Sequence, residues 1–318
     1  MGKISCFTIT NNVLSQGYPF VESIISAIPI CDEFIICDGY STDGTWETLK
    51  TLAKIYPKIK LYKDKWANKS KEGNVLSIMT NKAKERCNGK FLLYLQSNEV
   101  IHEESANRIK SLPNFHRAAL ELFHLPFLYI IGKDLVFGEE FRSRLVANNK
   151  EIGAINDAGH LSYYRSSINK YILKSISLDL FKTRDKLHKL FPVYEPGIDG
   201  IRRPYIHINL PKPIFRYFGV FKENFIEKMK NHKMISSNYE NQYSQIINLI
   251  NDRSPLDFPT LWYEFMIKYN KESYLEKPYT LEISQHPKIM QGLLKKNTNK
   301  YFVRSNLLKS QITPNDLI

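Results

Sequence analysis

Four short runs, 4–10, 33–37, 59–62 and 91–95, are apolar at nearly every position, and the segments between them carry apolar residues at helical spacing. A strand that is apolar on both faces has to be covered on both faces, and alternation with helices is the pattern that achieves this with a parallel sheet. After the first run, Phe20, Val21, Ile24, Ile25 and Ile28 recur at helical spacing until Pro29. After the second, Trp46, Leu49, Leu52, Ala53 and Tyr56 do so until Pro57, with Thr42 or Asp43 as the expected N-cap. Leu76, Met79, Ala83 and Cys87 mark a third helix, stopped by Asn88-Gly89. The chain is therefore expected to be α/β.

Beyond residue 115 the pattern changes to longer aromatic strands at 117–129 and 141–147, which implies a mixed sheet. Residues 184–213 are rich in proline, glycine and charge and read as surface loops. Helical periodicity with basic flanks returns at 224–231, 239–250 and 261–269. This suggests a first domain over 1–215 and a mostly helical C-terminal extension over 216–318. The longest mostly apolar stretch, 120–131, contains His124 and Pro126 and is too short to span a bilayer. Cys6, Cys31, Cys37 and Cys87 have neither disulfide-framework nor zinc-ligand spacing and read as buried thiols. With no signal segment at the N-terminus, the expectation is a soluble, cytoplasmic protein.

The formal charge of +13 calls for an anionic partner or for solvated lysine-rich faces. Nucleic acid is not expected, because no DNA- or RNA-binding motif accompanies the charge. Neither GxGxxG nor a P-loop pattern occurs, which disfavours nicotinamide and P-loop enzymes. In an open α/β sheet, ligands sit beyond the carboxyl ends of the strands. Three polar clusters fall there: Thr10-Asn11-Asn12, Asp38 with Ser41-Thr42-Asp43, and Gln96-Ser97-Asn98-Glu99. Asp38 suits a charge-assisted bond to the imide N–H of a pyrimidine or to a ribose hydroxyl. Asp38-Gly39 also suits a plain turn, and Thr42-Asp43-Gly44-Thr45 a plain helix cap.

The stretch 18–45, ending in Cys37-Asp38-Gly39-Tyr40-Ser41-Thr42-Asp43-Gly44-Thr45, resembles the opening of family-2 glycosyltransferases, GT-A enzymes that use nucleotide-diphospho-sugars. Tyr94-Leu-Gln-Ser-Asn-Glu-Val-Ile-His-Glu103 resembles the Gln-Ala-Asp-Glu-Val-Ile-His-Glu motif of a bacterial and archaeal subgroup. Looser likeness follows at Arg144-Leu-Val-Ala-Asn-Asn, Asn156-Asp157-Ala-Gly and His286-Pro287. The resemblance implies a GT-A type mixed sheet flanked by helices and a nucleotide-sugar donor such as a UDP-sugar. It also implies a glycan, lipid or protein acceptor and an inverting transfer. By this match Asp38 contacts the nucleobase, with Thr10, Asn11, Asn12, Ser41, Asp43, Gln96 and Ser97 around the donor.

The motifs also depart from the family. Where the subgroup carries a cation-binding aspartate, this chain has Asn98, followed by Glu99; the implied cofactor, Mg²⁺ or Mn²⁺, would fall to these two residues. A later aromatic-glycine-tryptophan pattern survives only as Arg216-Tyr-Phe-Gly-Val, in which Arg216 suits neutralisation of a diphosphate. Asp157 is the first candidate for the base that deprotonates the acceptor, and Asp199 the second. Asn98 equally suits a relative that binds the donor without turnover. The basic C-terminal helices suit an anionic membrane face presenting a lipid-linked acceptor.

Overall fold

The apolar runs of the first hundred residues pair side by side in the computed structural model, which describes residues 3–66, 75–115, 121–155, 158–164, 193–196, 202–219, 228 and 274–296. Strands β1 (Ile4–Thr10), β2 (Glu33–Asp38), β3 (Ile59–Lys63) and β4 (Phe91–Tyr94) run parallel in the order β3-β2-β1-β4. Helices α1 (Phe20–Ala27), α2 (Thr45–Ile55) and α3 (Val75–Glu85) lie between them in the chain. Phe34, Ile36 and Leu93 pack with Phe20 and Ile24 of α1 and Leu49 and Leu52 of α2. Their neighbours Phe7, Ile35, Cys37 and Leu92 pack on the other side with Ala83 of α3. Alternate residues of one strand thus enter opposite layers, which is why the strands read as continuous apolar runs rather than alternating ones.

The sheet then reverses. β5 (Glu99–Ile101) and α4 (Glu103–Ser111) precede a long hairpin of β6 (Leu122–Ile131) and β7 (Leu135–Ala147), and β7 joins β4 antiparallel, with Phe91 opposite Ala147. A separate short pair, β8 (Ile152–Ala154) and β9 (Leu161–Tyr163), carries Ile152 and Leu161 into the α3 layer. β10 (Val193–Pro196), β11 (Arg202–His207), β12 (Ile214–Gly219) and β13 (Tyr274–Thr280) all join the main sheet, and α5 (Lys288–Lys296) sets Met290 and Leu294 against Val100, Leu128 and Tyr217. The architecture is the mixed α/β sheet with flanking helices that was expected.

Two details differ from the sequence reading. Residues 184–213, expected to be loops, contain β10 and β11, and β11 pairs parallel to β6. β10 pairs locally with β11, but β11 is held in the sheet by β6, distant in sequence, so local composition does not register the pair. Helix α2 is capped by Gly44 at φ 95 rather than by Thr42 or Asp43. Asp43 instead accepts from the Thr45 N–H at 3.0 Å. Of the expected C-terminal helices, 239–250 and 261–269 lie outside the described residues, and of 224–231 only Lys228 is described, in helical conformation. Among the described residues no helix is long and apolar enough to cross a membrane. All four cysteines are buried and unpaired, as expected.

Candidate functional site

β1 and β2 end together because their register sets Thr10 opposite Asp38. Asp38 is fully buried, and its Oδ1 accepts from the Thr10 hydroxyl at 2.9 Å and the Ser41 hydroxyl at 2.6 Å. Its Oδ2 accepts from the Ser41 backbone N–H at 2.8 Å. The chain turns back through Tyr40, which holds a left-handed φ of 61°. That conformation is costly for a bulky residue, and the tight set of donors around Asp38 maintains it.

The loops after β1 and β2 are laced together by their polar side chains. Asn11 Nδ2 donates to the Gly39 carbonyl at 2.9 Å, and the Asn12 N–H donates to Ser41 Oγ at 2.8 Å. Asn12 Oδ1 accepts from the Thr42 N–H at 2.8 Å, and Asp43 Oδ2 accepts from the Ser15 N–H at 2.8 Å. Burial pushes the Asp43 carboxyl up, but the bonds from Thr45 and Ser15 outweigh it and hold the group below its ordinary range. Gly39 is required by close approach: a Cβ there would lie 2.3 Å from Trp66 Nε1 and 2.4 Å from Asn11 Nδ2. The indole N–H of Trp66 is shielded from solvent and has no partner among the described residues. Tyr40 is exposed at the rim, where the Lys63 ammonium stands 5.3 Å from its ring centroid and 4.4 Å from that of Trp46.

The tail of β4 runs beside the end of β1. The Leu95 N–H donates to the Phe7 carbonyl at 3.1 Å, and Ser97 Oγ donates to the Ile9 carbonyl at 3.2 Å. Gln96 Nε2 donates to Tyr94 Oη at 3.2 Å and to the Ala158 carbonyl at 3.1 Å. The three polar clusters therefore share one edge of the sheet, as parallel strands require.

Asn98 and Glu99 face a different chemistry. Asn98 Nδ2 donates to the Tyr217 carbonyl at 3.1 Å, while the Asn98 backbone carbonyl accepts from the Tyr217 N–H at 2.8 Å. Glu99 is fully buried, and Arg144 grips both its oxygens, Nε to Oε2 at 3.0 Å and Nη2 to Oε1 at 2.5 Å. The Gln96 N–H adds a bond to Oε2 at 3.0 Å, and Arg216 Nε stands 3.9 Å from Oε1. Burial raises the Glu99 pKa, but Arg144 and Arg216 with these bonds outweigh it and hold the carboxyl below the usual range. Arg144 is itself fully buried, with Nη1 donating to the Gly159 carbonyl at 2.7 Å and its guanidinium 4.9 Å from the Tyr94 ring centroid. A divalent cation asks for hard oxygens with free lone pairs, with carboxylates supplying the counter-charge. The expected pair does not fit one: Asn98 is neutral, and the Glu99 charge is taken by two guanidinium groups. Among the described residues no group of three or more His, Cys, Asp or Glu is placed to hold a metal ion.

Arg216 lies on β12, opposite Glu99 on one side and Tyr129 on the other. Its Cζ is 5.6 Å from the Tyr129 ring centroid and 5.1 Å from that of Phe218, and its buried Nε has no hydrogen-bond partner among the described residues. Lys228 is buried beside it, donating to the Phe218 carbonyl and standing 4.9 Å from the Tyr18 ring centroid and 5.1 Å from that of Phe218. Burial and the Arg216 charge push the Lys228 ammonium well below the usual lysine range.

Asp157 and Asp199, the two sequence candidates for the base, lie outside the described residues. The sequence reading overlooked the roles of Arg144, Lys228 and Trp66. For Arg144 a signal existed: an arginine followed by Leu145 and Val146 in an apolar strand must find an internal counter-ion. For Lys228 and Trp66 there was none, since lysine and tryptophan at those spacings read as ordinary surface and core.

No family model and no curated protein matches this chain. Among solved structures it is similar to TarS 1–349 of S. aureus in complex with UDP, at 13% identity over 85% of this chain and 73% of that one, with a TM-score of 0.34. It is also similar to the mannosyltransferase PcManGT from Pyrobaculum calidifontis in complex with GDP-Man and Mn²⁺, at 14% identity over 85% of this chain and 70% of that one, with a TM-score of 0.36.

Proposed function

We propose that this chain is a glycosyltransferase that takes its sugar from a nucleoside-diphosphate sugar and passes it, with inversion, to a hydroxyl on a glycan, lipid or protein. The observation that carries this reading is the interlocking of the β1, β2 and β4 tails at one sheet edge, with Asp38 at its centre. Asp38 accepts three bonds where a carboxylate accepts about four, and, being fully buried, it offers its remaining lone pair to a base imide or a ribose hydroxyl only when the Gly39-Tyr40 turn gives way. Asn11, Asn12, Ser41, Asp43, Gln96 and Ser97 shape the rest of the donor cradle. In the transfer the bond from the anomeric carbon to the diphosphate oxygen breaks as the acceptor oxygen bonds to that carbon. The hydroxyl proton passes to a carboxylate, for which Asp157 comes first and Asp199 second. The transferase domain is built mainly from residues 1–215 with β12, β13 and α5 joined to it, and the rest of 216–318 would provide acceptor or anionic-membrane contacts.

The test is thermal unfolding with UDP, GDP and dTDP. A nucleotide at a hundred times its Kd stabilises the folded state by about 2.7 kcal/mol. One of the three is expected to raise the Tm, and Asp38→Ala to abolish the shift while the variant still unfolds cooperatively. A panel without any shift would sink the reading. Release of free sugar from the matching donor separates an active transferase from a relative that only binds.

A further inference from the structure

The position that the family resemblance gives to a divalent cation is occupied in this chain by cationic side chains that outnumber the carboxylates facing them among the described residues. Arg144 and Arg216 bring two positive charges to the single carboxylate of Glu99, and Arg144 alone takes both of its oxygens. Arg216 is left with a shielded Nε that donates to nothing among the described residues. Lys228 adds a buried amine whose contacts among the described residues are a carbonyl and two aromatic rings, and an arriving anion would favour its charged form. Arg216 and Lys228 both lie 5.1 Å from the Phe218 ring centroid, and Tyr18 under Lys228 belongs to the loop that follows β1. That same loop carries Asn11 and Asn12 of the cradle. A buried excess of positive charge is expensive unless an anion joins it, and guanidinium and ammonium groups are well suited to phosphate oxygens. A divalent cation placed here would be repelled.

Resting on the reading above, we propose that Arg216 and Lys228 neutralise the donor diphosphate in place of a metal ion, so that this chain binds nucleoside diphosphates without a divalent cation. The Arg144–Glu99 pair positions Arg216 and is not itself a ligand contact.

The experiment is isothermal titration of the full chain with UDP, GDP and dTDP, and with the corresponding nucleosides, in excess EDTA and again in Mn²⁺. The best-bound diphosphate is expected to show the same affinity within about threefold in both conditions. Arg216→Gln or Lys228→Met is expected to weaken it by about tenfold or more, the scale of one lost charge-assisted contact, and to leave nucleoside binding unchanged. Circular dichroism confirms that each variant is folded, and the second serves if the first is not. Tighter binding in Mn²⁺ by more than that margin overturns the inference and leaves the proposed function standing. So does a diphosphate affinity that both folded variants retain. If no nucleotide binds in either condition, the proposed function falls and this inference falls with it.

Discussion

Two buried carboxylates stand at the ends of strands in the same sheet, and they are held in opposite ways. Asp38 is surrounded by neutral donors, two hydroxyls and a backbone N–H, so its surroundings keep a net negative charge. Glu99 is clamped by Arg144 and faced by Arg216, so its surroundings are net positive. The residue types alone suggest two acidic sites. The contacts give one only neutral donors and the other two guanidinium groups.

The largest expected effect comes from breaking the ionic member. Arg144→Met leaves Glu99 charged and buried without its bidentate partner, and should cost about 3–5 kcal/mol in urea denaturation. Asp38→Asn, which keeps the shape and loses the charge, should cost less, about 1–2 kcal/mol for mismatched hydrogen bonds. If the two variants lose equal stability, the distinction between ionic and neutral holding is wrong.

Buried histidines outside the parallel half extend the contrast, because burial works against their charged form. Burial pushes His124 down to about 3, helped by His207 and His160, and pushes His286 down to about 4, helped by His102. A base whose folded pKa is depressed takes up a proton on unfolding, so stability falls as pH drops below the unfolded value near 6.5. Each contributes a slope of up to about 1.4 kcal/mol per pH unit, down to its folded pKa. Denaturation midpoints measured from pH 7 to pH 4 should decline, and His286→Gln should flatten the decline by one proton's share. An unchanged slope would mean that His286 is protonated in the folded protein.

The smallest effect concerns the rim of the Asp38 turn. Tyr40→Gly removes a left-handed non-glycine residue and should raise stability by no more than about 1 kcal/mol, read as a small rise in Tm. A fall would show that the contact of Tyr40 with Lys63 outweighs the backbone strain.

The parallel half of the fold was readable because its signals are local. Period, proline stops and the Asn88-Gly89 turn lie within a few residues of what they shape, and the strand ends at Thr10 and Asp38 follow from them. β11 and its local partner β10 were not readable, since β11 is tied into the sheet by β6, far away in the chain. The cap of α2 was misplaced by a residue or two because Asp43 had two uses, and the structure spends it on Ser15 as well as on Thr45.

By itself the sequence determined the alternating architecture, the edge at which polar residues gather, and the Asp38 turn, in which Ser41 lies three positions from its acceptor. The tertiary structure alone decided the charge of the neighbouring site. Glu99 meets Arg144 across 45 positions and Arg216 across more of the chain still, and the electrostatic character of a buried group is set by whatever is folded against it.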